Sequence, residues 1–403
     1  MIPLSEAQAF VLDGCTPLEA VAVPAPEALG LVSAEPIICT EFVPPFDNTA
    51  VDGYAVRAGD TSAAPTELRV IGEIAAGDRP AVALEPGTAI RIMTGAPLPD
   101  GADGVVMVED TQTSADGSTV TIQRSIDAGS AVRRAGEDMR PDQTVFPAGT
   151  MLHAGHLGVL ATLGIESITA HRRPVVGVIS TGDELVDGPQ PLEPGQIRDS
   201  NRRTLLSLVA KAGCIPIDLG LTRDDEAAVE AALRSGAQAC DALVTSGGVS
   251  MGDYDYIKLV LSRIADMRWM QIAIKPAKPM AFGLLDHTPV FGLPGNPVSS
   301  MVSFELFARP GLRKMLGVAE DRVHRTPISA VAEAPLRRHP DGKTHFARVN
   351  VRWEEGTPMI RSAGGQGSHQ LAAMAAADAL AILPDGDGVD TDELSLILLL
   401  HDL

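Results

Sequence analysis

The chain has 403 residues, with 52 acidic against 32 basic side chains and a formal net charge of -20. That balance excludes nucleic acid and anionic membrane surfaces as principal partners, because both need a basic face to displace counterions or meet acidic lipids. An apolar fraction of 45% with only 3% aromatic residues describes cores filled by Ala, Val, Leu and Ile, and the length sets an expectation of about two to four domains.

The opening "MIPLSEAQAFVL" lacks the basic start and long apolar core of a leader. Residues 4–34 then alternate short helical patterns with "VAVPAPEALGLVSAEPI". From 46 to 138 the runs "ELRVIGEI", "AIRIMTG", "GVVMVED" and "STVTIQRS", divided by Gly, Asp and Pro, predict an inserted β-rich domain. "GTMLHAGHLGVLATLGIESI" returns to helical spacing and predicts that 139–173 rejoins 1–45 in an N-terminal linker domain.

Residues 174–319 differ in kind. "VVGVIS", a helix from Ser200, "PIDLG", a helix from Asp224, "ALVTS" and a helix after Asp255 alternate regularly, which predicts a mostly parallel sheet covered by helices on both faces. From 320 to 403, "FARVNVRWEEG", "DALAILPDG" and "ELSLILLL" predict a small β-rich C-terminal domain, with the Ala-rich "LAAMAAADALA" read as a small-residue helix. The closing "LSLILLLHDL" is too short to span a bilayer. Cys15, Cys39, Cys214 and Cys240 lie far apart without a CxxC pair, as expected of buried thiols in a reducing cytoplasm.

In an open α/β sheet, ligands bind beyond the C-terminal strand ends. Three such ends carry unusual turns: "STGDEL", "TSGGVSMGDYD" and "GLPGNPVSS". Bare amides at Gly247 and Gly248 suit an anion, while Asp253 or Asp255 beside them suits a hard cation; a phosphate bound through Mg²⁺ reconciles the two. Asp183 and Glu184 end the first strand, where Asp183 is also a candidate helix cap, and Asp224 and Asp225 are explained by the helix they open. Lys275 and Lys278, clamped between prolines in "AIKPAKPM", suit an oxyanion. Outside this domain, "DNTAVDGYAV", "TGAPLPDGADGVV" and "RRAGEDMR" concentrate Asp47, Asp52, Thr94, Glu137 and Asp138 in turns, and "SAGGQGSHQ" places Ser368 and His369 among glycines. No GxGxxG, GxxxxGK[ST] or HExxH is present.

"PPFDNTAVDGYAV", "IMTGAPLP", "RRAGEDM", "STGDEL", "TSGGVSMGDYD", "IKPAKP", "GLPGNPVSS" and "GGQGSH" occur in one order, from about Phe42 to His369. In this the chain resembles the molybdopterin molybdenumtransferases, which include the C-terminal domain of gephyrin. The resemblance implies an elongated homodimer of multidomain subunits, in which a three-layer α/β domain like that of the pterin adenylyltransferases joins β-rich domains. The activity it implies converts adenylylated molybdopterin and molybdate to molybdenum cofactor and AMP, with Mg²⁺ assisting.

Carried over by position, Asp52, Asp138, Glu184, Asp224 and Asp255 are the implied catalytic acids, with Glu184, Asp224 and Asp255 holding Mg²⁺; this replaces the purely structural account of Asp224. Thr94, Gly247, Gly248, Lys275, Lys278, Ser299, Arg348 and Ser368 are the implied substrate and molybdate contacts. In such a family the turns with Asp52, Thr94 and Asp138 serve the active site of the other subunit. Gln271 stands where some relatives carry lysine, and Ala277 replaces the commoner glycine of KPGKP, a change expected only to stiffen the lysine loop. Two rival functions are a molybdopterin adenylyltransferase, which needs only the α/β domain, and a gephyrin-like scaffold, which is expected to carry a second enzymatic domain and a long polar linker.

Overall fold

A computed structural model describes residues 1–249 and 256–401. The chain divides into two compact units, one of residues 1–35, 149–157 and 167–403 and the other of residues 36–148 and 158–166.

The second unit is built on a six-stranded sheet, in spatial order Gly104–Met107, Gly53–Val56, Thr88–Ile92, Thr66–Ile74, Thr119–Ile122 and Thr111–Thr113. Alternation along Gly53–Val56 explains its two cores. Tyr54 and Val56 pack with Leu68, Val106, Val120 and Ile122, whereas Ala55 turns to Ile74, Ile90, Ile92 and Val105 on the other face. The run "GVVMVED" is strand only to Met107, and a 3₁₀ turn takes Val108–Asp110. Val108 N–H leaves the ladder there and donates to the Asp52 carbonyl at 3.1 Å.

In the first unit, Ala20–Pro24 pairs antiparallel with Ser167–His171, which also pairs with Val32–Ser33. The α/β region follows as β1 (Val175–Thr181), α1 (Asn201–Lys211), β2 (Ile215–Thr222), α2 (Glu226–Ala239), β3 (Ala242–Ser246), α3 (Tyr256–Ile264), β4 (Asp266–Gln271), β5 (Pro279–Leu285), β6 (Thr288–Leu293) and α4 (Pro297–Ser303). The sheet runs β2-β1-β3-β6-β5-β4; the first four strands are parallel, and β5 and β4 close the edge antiparallel. β3 shows why three layers form. Ala242 and Val244 face Leu205 and Val209 of α1, while Leu243 faces Val229 and Leu233 of α2. Helix α2 buries Val229, Leu233 and Gly236 at helical spacing, and Asp225 caps it by accepting from Ala228 N–H at 2.8 Å.

The C-terminal strands close on themselves. Thr344–Glu354 pairs with Thr357–Ser362 on one side and Ala379–Leu383 on the other; Leu394–Leu399 and Ile328–Ala332 complete the ring around Val349, Ile360, Ala381 and Ile397. Closure limits the Ala-rich helix to Leu371–Ala375, because Ala379–Leu383 is needed as a ring strand between two neighbours. The two-residue strand Ile274–Lys275, between β4 and β5, pairs parallel with Thr344 and His345 at the open edge of Thr344–Glu354. This pairing fastens the lysine loop of the α/β region to the β ring.

Candidate functional site

The order β2-β1-β3-β6 sets four parallel strand ends side by side, and the chain reverses direction across the sheet between β1 and β3, where such folds open their ligand crevice. At the end of β3, Gly247 and Gly248 have φ of +91° and +79°, a backbone only glycine adopts cheaply. Gly247 N–H donates to the Leu293 carbonyl at 2.9 Å. The Asn201 side-chain amide donates to Ser246 Oγ at 2.8 Å and to the Gly295 carbonyl at 2.7 Å, tying the ends of β3 and β6 to the start of α1.

Across the ends of β1 and β2, Asp183 and Asp224 bind reciprocally. Asp183 N–H donates to Asp224 Oδ2 at 3.3 Å, and Asp224 N–H donates to Asp183 Oδ1 at 3.2 Å. Asp183 therefore caps no helix: a turn and the short strand Leu185–Val186 follow it, and α1 starts only at Asn201. The capping function of the Asp224–Asp225 pair belongs to Asp225, which leaves the Asp224 carboxylate at the strand ends. Glu184 is exposed in the same turn. Asp253 and Asp255 lie outside the described residues.

A second cluster forms where the lysine loop meets the β ring. Lys275, Lys278, Ser299 and Ser368, four of the expected oxyanion contacts, line one recess of about 570 Å³. Its elements are fastened by the Ile274–Thr344 pairing and by Val298 N–H, which donates to the Ser368 carbonyl at 3.1 Å. Arg348 is fully buried beneath this wall. Its Nη2 donates to the carbonyls of Gly365 (2.7 Å) and Gly367 (3.3 Å), Nε and Nη1 carry no hydrogen bond, and desolvation pulls its pKa down. Arg348 thus bears on the recess through the glycine loop.

Ala277 departs from expectation. Its φ is +74° and it is 3% exposed, so alanine here occupies a left-handed position that glycine fills without strain.

In the second unit, Asp52 accepts at one oxygen from both Thr94 N–H (2.7 Å) and Thr94 Oγ1 (2.8 Å), which lowers its pKa below the ordinary 3.8. Asp47 accepts from Ala135 N–H at 2.8 Å and Arg134 Nη1 at 2.6 Å, and its pKa is likewise lowered, chiefly by the Ala135 bond. Asp138 lines a recess of about 300 Å³ with Pro44, Arg133 and Glu137.

Three family descriptions match in sequence: "MoeA N-terminal region (domain I and II)" over residues 2–164, "Probable molybdopterin binding domain" over 177–314 and "MoeA C-terminal region (domain IV)" over 330–394. The chain is 39% identical to the Molybdopterin molybdenumtransferase of Haemophilus influenzae, covering 90% of this chain and 89% of that one. Identity is also 39% with the Molybdopterin molybdenumtransferase 2 of Mycobacterium tuberculosis, over 94% and 93% of the two chains. The chain belongs to the molybdopterin molybdenumtransferase family. The crystal structure of the molybdopterin biosynthesis moeA protein from Pyrococcus horikoshii OT3 superposes with a TM-score of 0.85 at 30% identity, covering 99% of this chain and 100% of that one.

Within this family member, the sequence motifs pointed to two clusters in the first unit. Gly247, Gly248, Glu184 and Asp224 gather at the strand ends, and Lys275, Lys278, Ser299 and Ser368 gather at the recess. The structure adds Asn201 to the first, where Asp183, named with Glu184 at the first strand end, bonds to Asp224, and it adds Lys343 and Gln366 to the second. Gln366 sits inside the glycine motif and binds both the N–H and the carbonyl of Arg348, at 2.9 and 3.0 Å. Lys343 lies in an ordinary "PDGK" turn and carries no local signal. Among the described residues no group of three or more His, Cys, Asp or Glu side chains forms a metal cage. A magnesium site needs only one or two carboxylates plus substrate oxygens, so the acids at the strand ends are chemically sufficient for it.

Proposed function

We propose that this chain is a molybdopterin molybdenumtransferase that takes adenylylated molybdopterin and molybdate to molybdenum cofactor and AMP. The observation that carries the reading is the recess itself. Two ammonium groups and two serines from three separate sequence segments converge on one wall, a donor set that suits a tetrahedral dianion and overrides the acidic field of the whole chain locally.

The glycine turn at Gly247 and Gly248 holds the phosphate chain of the pterin, and Asn201 keeps that turn rigid. Mg²⁺, when bound, draws negative charge from the phosphoanhydride; Glu184 and Asp224, together with Asp255, would hold it. Lys275 and Lys278 collect molybdate and orient it, while Ser299 and Ser368 donate to its oxygens. Asp52, Thr94 and Asp138 act on the same substrate in a homodimer. The four cysteines are unpaired buried thiols, which suits a cytoplasmic enzyme, and no helix among the described residues is long and apolar enough to cross a membrane. The adenylyltransferase and scaffold readings are disfavoured, because family matches extend on both sides of the α/β domain and the recess is built from residues of the α/β region and of the C-terminal β ring.

AMP release from purified adenylylated molybdopterin, with Mg²⁺ and with or without molybdate, tests this. Molybdate-dependent release with active cofactor is expected. Adenylylation of molybdopterin from ATP, or substrate binding without turnover, would overturn it in favour of the two rivals respectively.

A further inference from the structure

The recess holds three lysines, and only two of them belong to the lysine loop. Lys343 enters from the other side, placed there because Thr344 N–H donates to the Ala273 carbonyl at 2.9 Å and Thr344 pairs with Ile274. Lys275 and Lys278 are exposed at the recess, whereas the Lys343 side chain is only 20% exposed and its ammonium donates to Asp341 Oδ2 at 2.8 Å. Asp341 faces a neighbouring recess of about 430 Å³, whose wall includes Lys275 and Gln366.

Asp341 does not depend on Lys343 alone. It also accepts from Arg338 Nη2 at 2.9 Å and contacts His345 Nε2 at 3.1 Å. Arg338 is itself fixed by Asp385 at 2.8 Å and by the carbonyls of Lys343 and Pro384 at 2.7 and 2.8 Å. If the Lys343 ammonium turned into the recess, Asp341 would therefore keep a buried guanidinium partner.

We propose that Lys343 is a third cation of the oxyanion recess, held by Asp341 while the recess is empty and transferred to molybdate when the dianion enters. The inference rests on the reading of this recess as the molybdate site. Its consequence is selectivity by charge. A dianion competes with the single charge of Asp341 for the ammonium, and a monoanion of similar size competes poorly.

The test is calorimetric titration of sodium molybdate into the full chain and its variants, without pterin. Lys343→Ala is expected to weaken binding about tenfold, the loss of one charge-assisted hydrogen bond, and Lys343→Arg to restore most of it. Asp341→Asn, which frees the ammonium and removes a negative charge, is expected to tighten binding severalfold. A purely structural Lys343–Asp341 pair would instead weaken binding in both single variants, and that result overturns the proposal. Should Asp341→Asn not fold, the comparison of Lys343→Ala with Lys343→Arg still decides it, and equal affinities equal to the wild type overturn it. Lys275→Ala separates the two readings. If it loses affinity while Lys343→Ala does not, only the third-cation proposal fails; if the wild-type chain binds no molybdate, the recess reading fails with it.

Discussion

Thr94 donates to Asp52 twice, through its N–H and its hydroxyl, and both bonds end on the same carboxylate oxygen. The second oxygen is left for other partners, so a turn residue and an acid from different strand ends behave as one unit. Because both bonds favour the charged form, the Asp52 pKa lies below 3.8. The sign follows directly: the interaction is fully present above the unfolded carboxyl pKa and fades as pH falls through the lower folded value. Thr94→Val removes the hydroxyl and keeps the backbone donor. The Asp52 carboxyl should then titrate closer to 3.8, as read by carbon-detected NMR, and AMP release should fall roughly threefold to tenfold.

Lys275→Ala removes an exposed ammonium from the recess while leaving the glycine turn intact. The molybdate concentration needed for half-maximal AMP release should rise about tenfold or more, the scale of one charge-assisted hydrogen bond, while pterin affinity changes little. Equal losses of both would contradict the division of the site into a phosphate end and an oxyanion end.

Asp224 and Asp225 are adjacent and should fail differently. Asp225→Ala deletes a helix cap and should cost about 1 kcal/mol in urea unfolding, with activity largely kept. Asp224→Ala leaves the cap in place but removes the carboxylate that meets Asp183 N–H, so turnover and its Mg²⁺ dependence should drop with little change in stability. If the two variants lose activity alike, the assignment of Asp224 to the site is wrong.

At Ala277, relief of the left-handed backbone on mutation to glycine returns about 1 kcal/mol. It is offset by roughly 0.5–1 kcal/mol of added unfolded-chain freedom and about 0.8 kcal/mol for a lost buried methyl. Ala277→Gly should therefore change stability by less than about 1 kcal/mol. Ala277→Val, with a branched side chain at positive φ in a buried position, should destabilise by roughly 2 kcal/mol or more. Urea midpoints of the two variants check both statements.

These cases show what was legible in the sequence. The α/β alternation was, because the central strands begin as short apolar runs and the helices carry their own spacing, as residues 242–244 and Glu226–Ala239 illustrate. The lysine loop and the glycine turns were legible through Pro and Gly, which restrict backbone geometry locally. The pairing of Ile274–Lys275 with Thr344–His345 was not, since two short edges far apart in sequence have no pattern that names each other. Lys343 was invisible for that reason, and so was the strain at Ala277, because a positive φ is imposed by the loop around it. Asp224 was readable as a helix-opening acid, yet its bond to Asp183 N–H depends on β1 and β2 being neighbours.

Arg348 supplies the last prediction. The guanidinium is fully buried, two of its nitrogens lack hydrogen bonds, and the third holds the carbonyls of Gly365 and Gly367. Burying a charge without a carboxylate partner is costly, so an apolar side chain of similar length recovers desolvation energy while abandoning the two carbonyls. Arg348→Met should consequently alter stability by no more than about 2 kcal/mol, the two effects opposing each other. The loop from Gly364 to Ser368 should nevertheless loosen, because Gln366 then remains its main tie to the Thr344–Glu354 strand. Faster amide exchange at Gly365 and Gly367, together with a raised molybdate requirement and unchanged pterin binding, is the expected result. Retained loop protection in Arg348→Met would show that the guanidinium does not organise this wall.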